Sequence, residues 1–531
     1  MASKRPIFVR DATGLVRQLS TFNNVSISLG QITPMTAMVF VLSASFAVIP
    51  QSNLLYSVLL DILLLFPVAL MYSMLAAAMP RTGGDYVYVS RAVHPAVGFM
   101  TSWVFTIIVI SFIGSVALLL PLTALNVFVA TIGTLLNNQY LITNSAWFAT
   151  NLGILVVGSL VNLIVVVLMI FGRAVYTFLK IVLAVVMVGT ALNIAFLWLI
   201  PASSFVTAWN GLTSNSTLSY SGVVQTAIQH GFTPGWSWSG TIAALPYATF
   251  ALIGFQFCVY SAGESKNPGK SIPISVIGSM VIAALVFAIW IAAAFHAFGF
   301  DFFSSVGYLA NCGCAADVTL PTTITVNSLF TIIPQNPVLV IIEAFCFVGA
   351  WIWAAPTNLI VFVRNTFAWS FDRIGPAWLA DVNDKYHTPV KGIILSFVLG
   401  EIALVLFVYT SALVFIANSV LLTHIVFFFV ALSAILFPYR AKKVFELSPN
   451  WIKKQFAGVP SITIVGVLAL IVEIYLLYSS FANPAIGGSP SSYPFALIFC
   501  VSAIVIFYLV REYRKRQGID ISLVFREIPP E

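Results

Sequence analysis

Long apolar runs that are almost free of charged side chains constrain this sequence more than any other feature. Charged residues make up only 8% of the 531 residues, whereas a water-exposed surface normally raises them to about a quarter of a chain. A bilayer-spanning helix needs about 20 consecutive apolar residues, and twelve runs of that kind are present. None of them alternates strictly between polar and apolar residues, so the sequence predicts a bundle of transmembrane helices rather than a soluble fold or a barrel.

We number the predicted helices as spans 1 to 12. Spans 1 to 6 cover about 22–47, 54–79, 97–130, 147–170, 174–199 and 239–262, and spans 7 to 12 cover 273–298, 337–363, 390–409, 412–438, 459–481 and 493–510. The chain then divides into an N-terminal tail (1–21), five helices (22–199), an outer loop (200–238), five further helices (239–438), two extra helices (439–510) and a C-terminal tail (511–531).

The distribution of Lys and Arg predicts the orientation in the membrane. With the N-terminus in the cytoplasm, all 24 Lys and Arg fall in segments on the cytoplasmic side, as the positive-inside rule requires. Both tails are then cytoplasmic in a plasma membrane protein. The net charge of +7 therefore indicates contact between basic loops and anionic membrane lipid, not a nucleic acid partner.

Metal, cofactor and catalytic signatures are absent from the sequence. The five histidines are scattered without the spacing of metal ligands, so we expect no metal, no cofactor and no enzymatic activity. Cys312 and Cys314 lie in an outer loop, where a single intervening residue would strain a disulfide between them. Their oxidation, and glycosylation at Asn215, stay open at this stage.

Two spans are interrupted. Span 1 contains Gly30–Thr36, in which the interior Pro34 removes a hydrogen bond and clashes with the preceding turn. Span 6 contains Pro246, followed by Phe250–Gln256 with an internal glycine. Interrupted helices at equivalent positions of two halves are typical of inverted-repeat secondary transporters with a site at the bilayer midplane. A simple proline kink is the alternative.

The interruptions also indicate the chemistry of a ligand. The N-terminal end of a half-helix offers N–H donors and partial positive charge to a carboxylate, whereas freed carbonyl groups accept hydrogen bonds from an ammonium group. A zwitterion matches both features.

Three motifs resemble those of amino acid permeases in the amino acid, polyamine and organocation transporter superfamily. They are Gly83–Tyr86 after span 2, Phe250 with Gly254-Phe255 and the following Lys266–Pro268 around span 6, and Asp372–Pro376 after span 8. Their order and spacing agree with that family over about residues 20 to 440. The resemblance implies a leucine-transporter-like fold, in which a five-plus-five inverted repeat is followed by two extra helices.

The resemblance also implies a set of substrate-binding residues at the two interruptions. These are Thr33, Pro34, Met35 and Thr36 in span 1, and Phe250, Ala251, Leu252 and Gly254 in span 6. The chain departs from the family pattern in two ways. Pro34 lacks a backbone donor, and Gln256 stands where many members have Glu.

Three residues are candidates for coupling transport to protons. Proton-coupled members of the family carry a lysine in the fifth helix, to which Lys180 corresponds, although a lysine reaching toward the headgroups is the alternative. Asp61 and Glu401 are ionisable groups near the middle of apolar spans, where charge is costly and often functional. Glu343, Glu473 and His424 also lie within spans.

The sequence therefore predicts a proton-coupled secondary transporter that moves amino acids by alternating access. No acidic residue lies in either interruption, and a cationic side chain would need one nearby, so neutral, apolar substrates are favoured. An amino acid exchanger, or a permease for another small amine or organic cation, is the alternative. A transport-dead sensor and a polytopic membrane enzyme are alternatives from other classes. The particular amino acid, the direction of flux and the oligomeric state stay open.

Overall fold

The computed structural model describes residues 17–34, 36, 45–46, 48–212, 219–309, 312, 337–410, 414–482 and 492–526. This part of the chain is overwhelmingly helical, and its only strands are the short antiparallel pair Gln455–Phe456 and Val459–Pro460. The expectation of an all-α polytopic membrane protein is confirmed.

Eleven helices in the described ranges are long and apolar enough to cross a membrane, and they coincide with spans 2 to 12. Their bounds are Leu54–Ala78, Pro95–Leu135, Asn151–Ile170, Arg173–Leu199, Trp238–Glu264, Pro268–Phe298, Pro337–Phe371, Val390–Tyr409, Ser419–Arg440, Ser461–Ala482 and Tyr493–Arg516. Span 1 is described as the helix Thr21–Ile32 and a few residues beyond it. The count of twelve spans thus stays a prediction.

Several helices extend beyond their predicted ends. Span 8 was expected to stop before Arg364, the first charged residue after its apolar run, but the helix continues to Phe371. Arg364 is compatible with a buried helix because its Nε lies 2.5 Å from a carboxylate oxygen of Glu264. The predicted outer loop 200–238 contains two further helices, Ala202–Leu212 and Tyr220–Gln229. Both are amphipathic and too short to span a bilayer.

Close approach between spans depends on glycine at two positions. A Cβ atom on Gly30 of span 1 would lie 2.6 Å from the indole nitrogen of Trp353 in span 8. A Cβ atom on Gly114 of span 3 would lie 2.7 Å from the Cβ of Ala403 in span 9. These contacts bring spans 1 and 3 against the second half of the bundle, where the interrupted helices meet.

One end of the bundle carries the polar loops, and we call it the basic face. It comprises the connections after spans 2, 6, 8 and 10, at about 79–94, 265–267, 372–389 and 441–460. Two ion pairs have side chains no more than 5% exposed: Arg91 with Asp372 at 2.7 Å, which joins two of these connections, and Arg364 with Glu264, which joins spans 8 and 6. The hydroxyl of Tyr86 donates a further hydrogen bond to Asp372 at 2.8 Å.

The end of the described chain packs on the basic face. After span 12, the 3₁₀ helix Ile521–Arg526 places the ring of Phe525 5.1 Å from the guanidinium carbon of Arg91. Arg514 donates from Nε to the carbonyl oxygen of Arg373 at 3.0 Å. The predicted C-terminal tail therefore covers the Arg91–Asp372 ion pair.

Two outer-loop expectations fall largely outside the described residues. Cys312 is disulfide-bonded, whereas Cys314 and Asn215 are not among the described positions.

Candidate substrate site

The interruption of span 1 is centred on Thr33. The helix ends at Ile32, and Thr33 adopts the left-handed conformation with φ 39° and ψ 73°. Pro34 follows and cannot donate a hydrogen bond into the preceding turn. The hydroxyl of Thr36 donates to the hydroxyl of Thr33 at 2.8 Å, so the two threonines define the polar side of the break.

The interruption of span 6 is centred on Gly254. The helix Leu245–Leu252 ends just before it, and a 3₁₀ helix resumes at Phe257. Gly254 has φ +131°, a conformation that residues with a Cβ atom rarely adopt. A Cβ atom there would also lie 2.8 Å from the side chain of Gln31, so glycine is needed for both the turn and the contact with span 1.

Ser28 joins the two interrupted spans through its hydroxyl. It donates to the carbonyl oxygen of Phe255 at 2.9 Å and accepts from the backbone N–H of Cys258 at 3.3 Å. Backbone groups released by the break in span 6 are thereby satisfied by span 1, and the two breaks lie side by side.

A cavity of about 90 Å³ lies between the breaks. This is several times the roughly 10–15 Å³ that one water molecule requires. Its wall comes from spans 1, 3, 6, 8 and 10. The polar lining residues are Gln31, Thr33, Thr36, Ser115, Asn358, Ser419 and Thr423, and the larger apolar ones include Phe105, Ile108, Phe112, Phe250 and Trp351. None of the described lining residues carries a charge.

The structure brings four of the eight substrate-site candidates to the cavity wall. These are Thr33, Thr36, Phe250 and Ala251. Pro34, Leu252 and Gly254 are at the breaks without lining the cavity, and Met35 is outside the described residues. Leu252 is fully buried by neighbouring helices, and Gly254 serves the contact with Gln31 instead.

Sequence reasoning missed the amide pair Gln31 and Asn358. The side-chain N–H of Asn358 donates to the side-chain oxygen of Gln31 at 2.6 Å. The other polar atom of Asn358, its amide oxygen, is buried and has no hydrogen-bond partner among the described residues. Because buried polar atoms are normally satisfied, this oxygen is suited to accept from a ligand. An amide within an otherwise apolar span was the available signal.

The three coupling candidates are in different places. Asp61 is fully buried in span 2 and accepts from the hydroxyl of Thr249 at 3.1 Å. Thr249 directly precedes Phe250, so Asp61 contacts the helix that lines the cavity.

Glu401 lies away from the cavity, between spans 4 and 9. It accepts hydrogen bonds from Ser159 at 2.5 Å and from Asn162 at 2.7 Å. Two uncharged donors thus satisfy its carboxyl group.

Lys180 is partly buried and does not line the cavity. The neighbouring carbonyl of Leu179 accepts from the hydroxyl of Ser26 at 2.9 Å. Ser26 precedes Thr33 by seven residues, which at about 1.5 Å per residue places this contact about 10 Å from the break. The structure does not bring Lys180 together with the substrate-site residues.

Two comparisons with known proteins bear on the identity of this chain. The family model described as amino acid permease matches residues 24–523. The glutamate/serine transporter AimA of Bacillus subtilis (strain 168) is 27% identical over 236 residues, which are 42% of this chain and 37% of that protein. The matched part is thus little more than a third of that relative's length.

Proposed function

The chain belongs to the amino acid permease family, and from this premise we propose that it transports neutral amino acids across the plasma membrane by alternating access, driven by protons. Members of this family are transporters rather than enzymes. The observation that carries the proposal is the cavity between two helix breaks, whose described lining has polar groups but no charged side chain.

The two breaks suit the two charges of an amino acid. In this proposal the carboxylate lies against the break of span 1, where the half-helix beyond Thr33 begins and its N-terminal end favours an anion. The ammonium group donates to the unpartnered amide oxygen of Asn358 and to carbonyl groups near Ala251. The substrate side chain then contacts Phe105 and Ile108 of span 3.

The uncharged lining favours a small neutral amino acid. A glutamate side chain would bring a second carboxylate into a site that has no cation to pair with it among the described lining residues, which costs several kcal/mol. The relative's printed name includes both glutamate and serine. Of the two, serine fits this cavity, because the hydroxyl oxygens of Ser115 and Thr423 in its wall can accept a hydrogen bond from the serine hydroxyl.

Orientation and coupling complete the proposal. The basic face is cytoplasmic, since Lys and Arg concentrate on that side of membrane proteins. Lys180, Asp61 and Glu401 are the coupling candidates taken from the sequence. Asp61 has the best geometric support of the three, since its hydrogen bond to Thr249 connects it to the helix that carries Phe250.

The test is uptake of labelled serine, alanine and glutamate into proteoliposomes, with and without an inward proton gradient. We expect accumulation of serine and alanine that depends on the gradient, and no accumulation of glutamate. Asn358→Leu should abolish uptake. Asn365→Leu removes a buried amide two turns away on the same span without touching the cavity, and it should retain the wild-type KM.

Each alternative has its own result in this assay. Counterflow at the same rate with and without the proton gradient would indicate an exchanger. Transport of lysine or polyamines alone would indicate a permease for other amines. Preference for glutamate over serine would contradict the proposed substrate class. Absence of all flux would contradict transport altogether.

A further inference from the structure

We propose that four buried, protonatable side chains, His424, Glu473, Tyr72 and Asp85, carry the coupled proton from the cavity wall to the basic face. The inference rests on the proton coupling of the proposed function and deepens it. His424 and Glu473 were noted from the sequence as ionisable residues within spans, whereas Tyr72 and Asp85 carried no coupling expectation.

The proton pathway formed by these four side chains begins at a histidine and glutamate pair beside the cavity. His424 of span 10 and Glu473 of span 11 are both 0% exposed, and the His424 Nδ1 lies 2.9 Å from a carboxylate oxygen of Glu473. Thr423, the residue before His424, lines the cavity. A buried pair of this kind brings little net stability compared with apolar packing, and ionisable groups inside a membrane are functional by default.

Every member of the chain has one open position. His424 Nε2, Glu473 Oε1, Tyr72 Oη and Asp85 Oδ1 are all buried atoms without a hydrogen-bond partner in the described part of the chain. Native structures leave few such atoms unsatisfied. In this proposal each of the four positions alternately binds a proton or a transient water.

Tyr72 of span 2 connects the buried pair to the basic face. The carboxylates of Glu473 and Asp85 both act electrostatically on its hydroxyl group. The ring of Phe427 packs edge-on against Tyr72 at 5.2 Å and lies 6.3 Å from the ring of His424. Because a phenol both donates and accepts, Tyr72 can pass a proton along without holding a charge.

Asp85 is the last residue of this proton pathway. It lies in the first turn of the helix Asp85–Ala92 on the basic face, outside the spans, and accepts from the hydroxyl of Tyr260 at 2.5 Å. Burial raises the pKa of Asp85 to about 7, although the nearby hydroxyl groups of Tyr260 and Tyr72 lower it. The carboxyl group therefore gains and loses a proton near neutral pH.

No fixed positive charge holds the chain in one protonation state. The titratable groups that face Tyr72 and Asp85 from the adjoining elements are Tyr88 and Tyr260. Within the described ranges, no Lys or Arg forms an ion pair with Asp85 or Glu473. The nearby Arg91 pairs with Asp372 instead.

The transfer involves protons only and balances at each step. A proton from the cavity binds the pair, which already shares one proton between imidazole and carboxyl groups. Glu473 then gives a proton to the Tyr72 oxygen while Tyr72 gives its own hydrogen to Asp85. Asp85 releases that proton toward the basic face, and His424 and Glu473 return to sharing one proton.

The experiment compares two assays on the same proteoliposomes: serine accumulation driven by a proton gradient, and serine counterflow without one. The variants are Glu473→Gln, His424→Asn and Tyr72→Phe, each close in size to the original residue. We expect all three to lose accumulation and to retain counterflow. Glu343→Gln is the matched control, a span 8 carboxyl group bound by Asn193 at 2.9 Å, and it should retain both.

The outcomes separate this inference from the proposed function. Wild-type accumulation in Glu473→Gln or Tyr72→Phe would overturn the inference and leave proton-driven transport intact. Loss of counterflow together with accumulation would also overturn it, since a group that serves only coupling leaves exchange unchanged. Counterflow without accumulation in the wild-type protein would refute proton coupling itself, and the inference with it.

Discussion

Two ion pairs of similar length but different burial lead to a sharp prediction about stability. Arg364 and Glu264 join spans 8 and 6 through two contacts, at 2.5 and 3.0 Å, with side chains 5% and 3% exposed. Lys391 and Asp381 are 2.6 Å apart, with side chains 56% and 58% exposed. The shortest distances of the two pairs are nearly equal, so the main difference between them is burial, together with the second contact that Arg364 makes.

Glu264→Gln keeps the size of the side chain but leaves the Arg364 guanidinium charged, buried and without its carboxylate. Removing one partner of a buried pair costs about 3–5 kcal/mol. Asp381→Asn breaks a pair that water already screens, for which the cost is about 0–1 kcal/mol. We therefore expect the buried variant to lose at least about 2 kcal/mol more of the free energy of unfolding than the exposed variant.

The assay is equilibrium unfolding of the purified protein in mixed micelles of increasing denaturing detergent, followed by tryptophan fluorescence at low and high salt. Salt should weaken the exposed pair and have little effect on the buried one. Equal losses for Glu264→Gln and Asp381→Asn, or a buried pair as sensitive to salt as the exposed pair, would refute the reasoning.

Three further predictions concern stability. In Gly30→Ala the new methyl group would lie 2.6 Å from an indole nitrogen of span 8, so we expect slower uptake and a cost of about 1–3 kcal/mol. Gly278→Ala, with open space around it, should gain up to about 1 kcal/mol in thermal unfolding. Equal melting temperatures for Gly30→Ala and Gly278→Ala would contradict this packing argument. Because burial raises the pKa of Asp85 to about 7 from 3.8, the folded state binds the proton more tightly than the unfolded state. Wild-type stability should fall as the pH rises from about 4 to 7 and then level off. Asp85→Asn should remove that part of the pH dependence of the melting temperature. An unchanged pH dependence in Asp85→Asn would contradict the raised pKa. Phe525→Ala should lower the free energy of unfolding by about 0.5–2 kcal/mol, because it loses the contact with a guanidinium group. Leu523→Ala, at a side chain 53% exposed, should change it by no more than about 0.5 kcal/mol. Limited proteolysis of the C-terminal segment compares the two variants.

Helix positions were predictable because bilayer-spanning helices require long apolar runs. The ends were less so, and span 8 shows why. Its apolar run stops before Arg364, but the helix continues to Phe371, since the charge is neutralised by Glu264, 100 residues earlier in the chain. A partner so distant in sequence leaves no local signal.

The candidate site divides in the same way. The breaks at Thr33 and Gly254 were visible because proline and glycine act on their own backbone. The other residues that line the cavity were not visible in the sequence, because a uniformly apolar span does not show which of its faces points into the bundle. Asn358 and Thr423 could be assigned to the cavity only after spans 8 and 10 had packed.

By itself, the sequence determined that this chain is a helical membrane protein with two interrupted spans, because hydropathy, proline and glycine act over a few residues. Only the tertiary structure decided which groups meet. It placed His424 against Glu473, 49 residues apart, and left Lys180 away from the cavity. Such pairings depend on the packing of the whole bundle, in which each contact is only a small part of the total free energy.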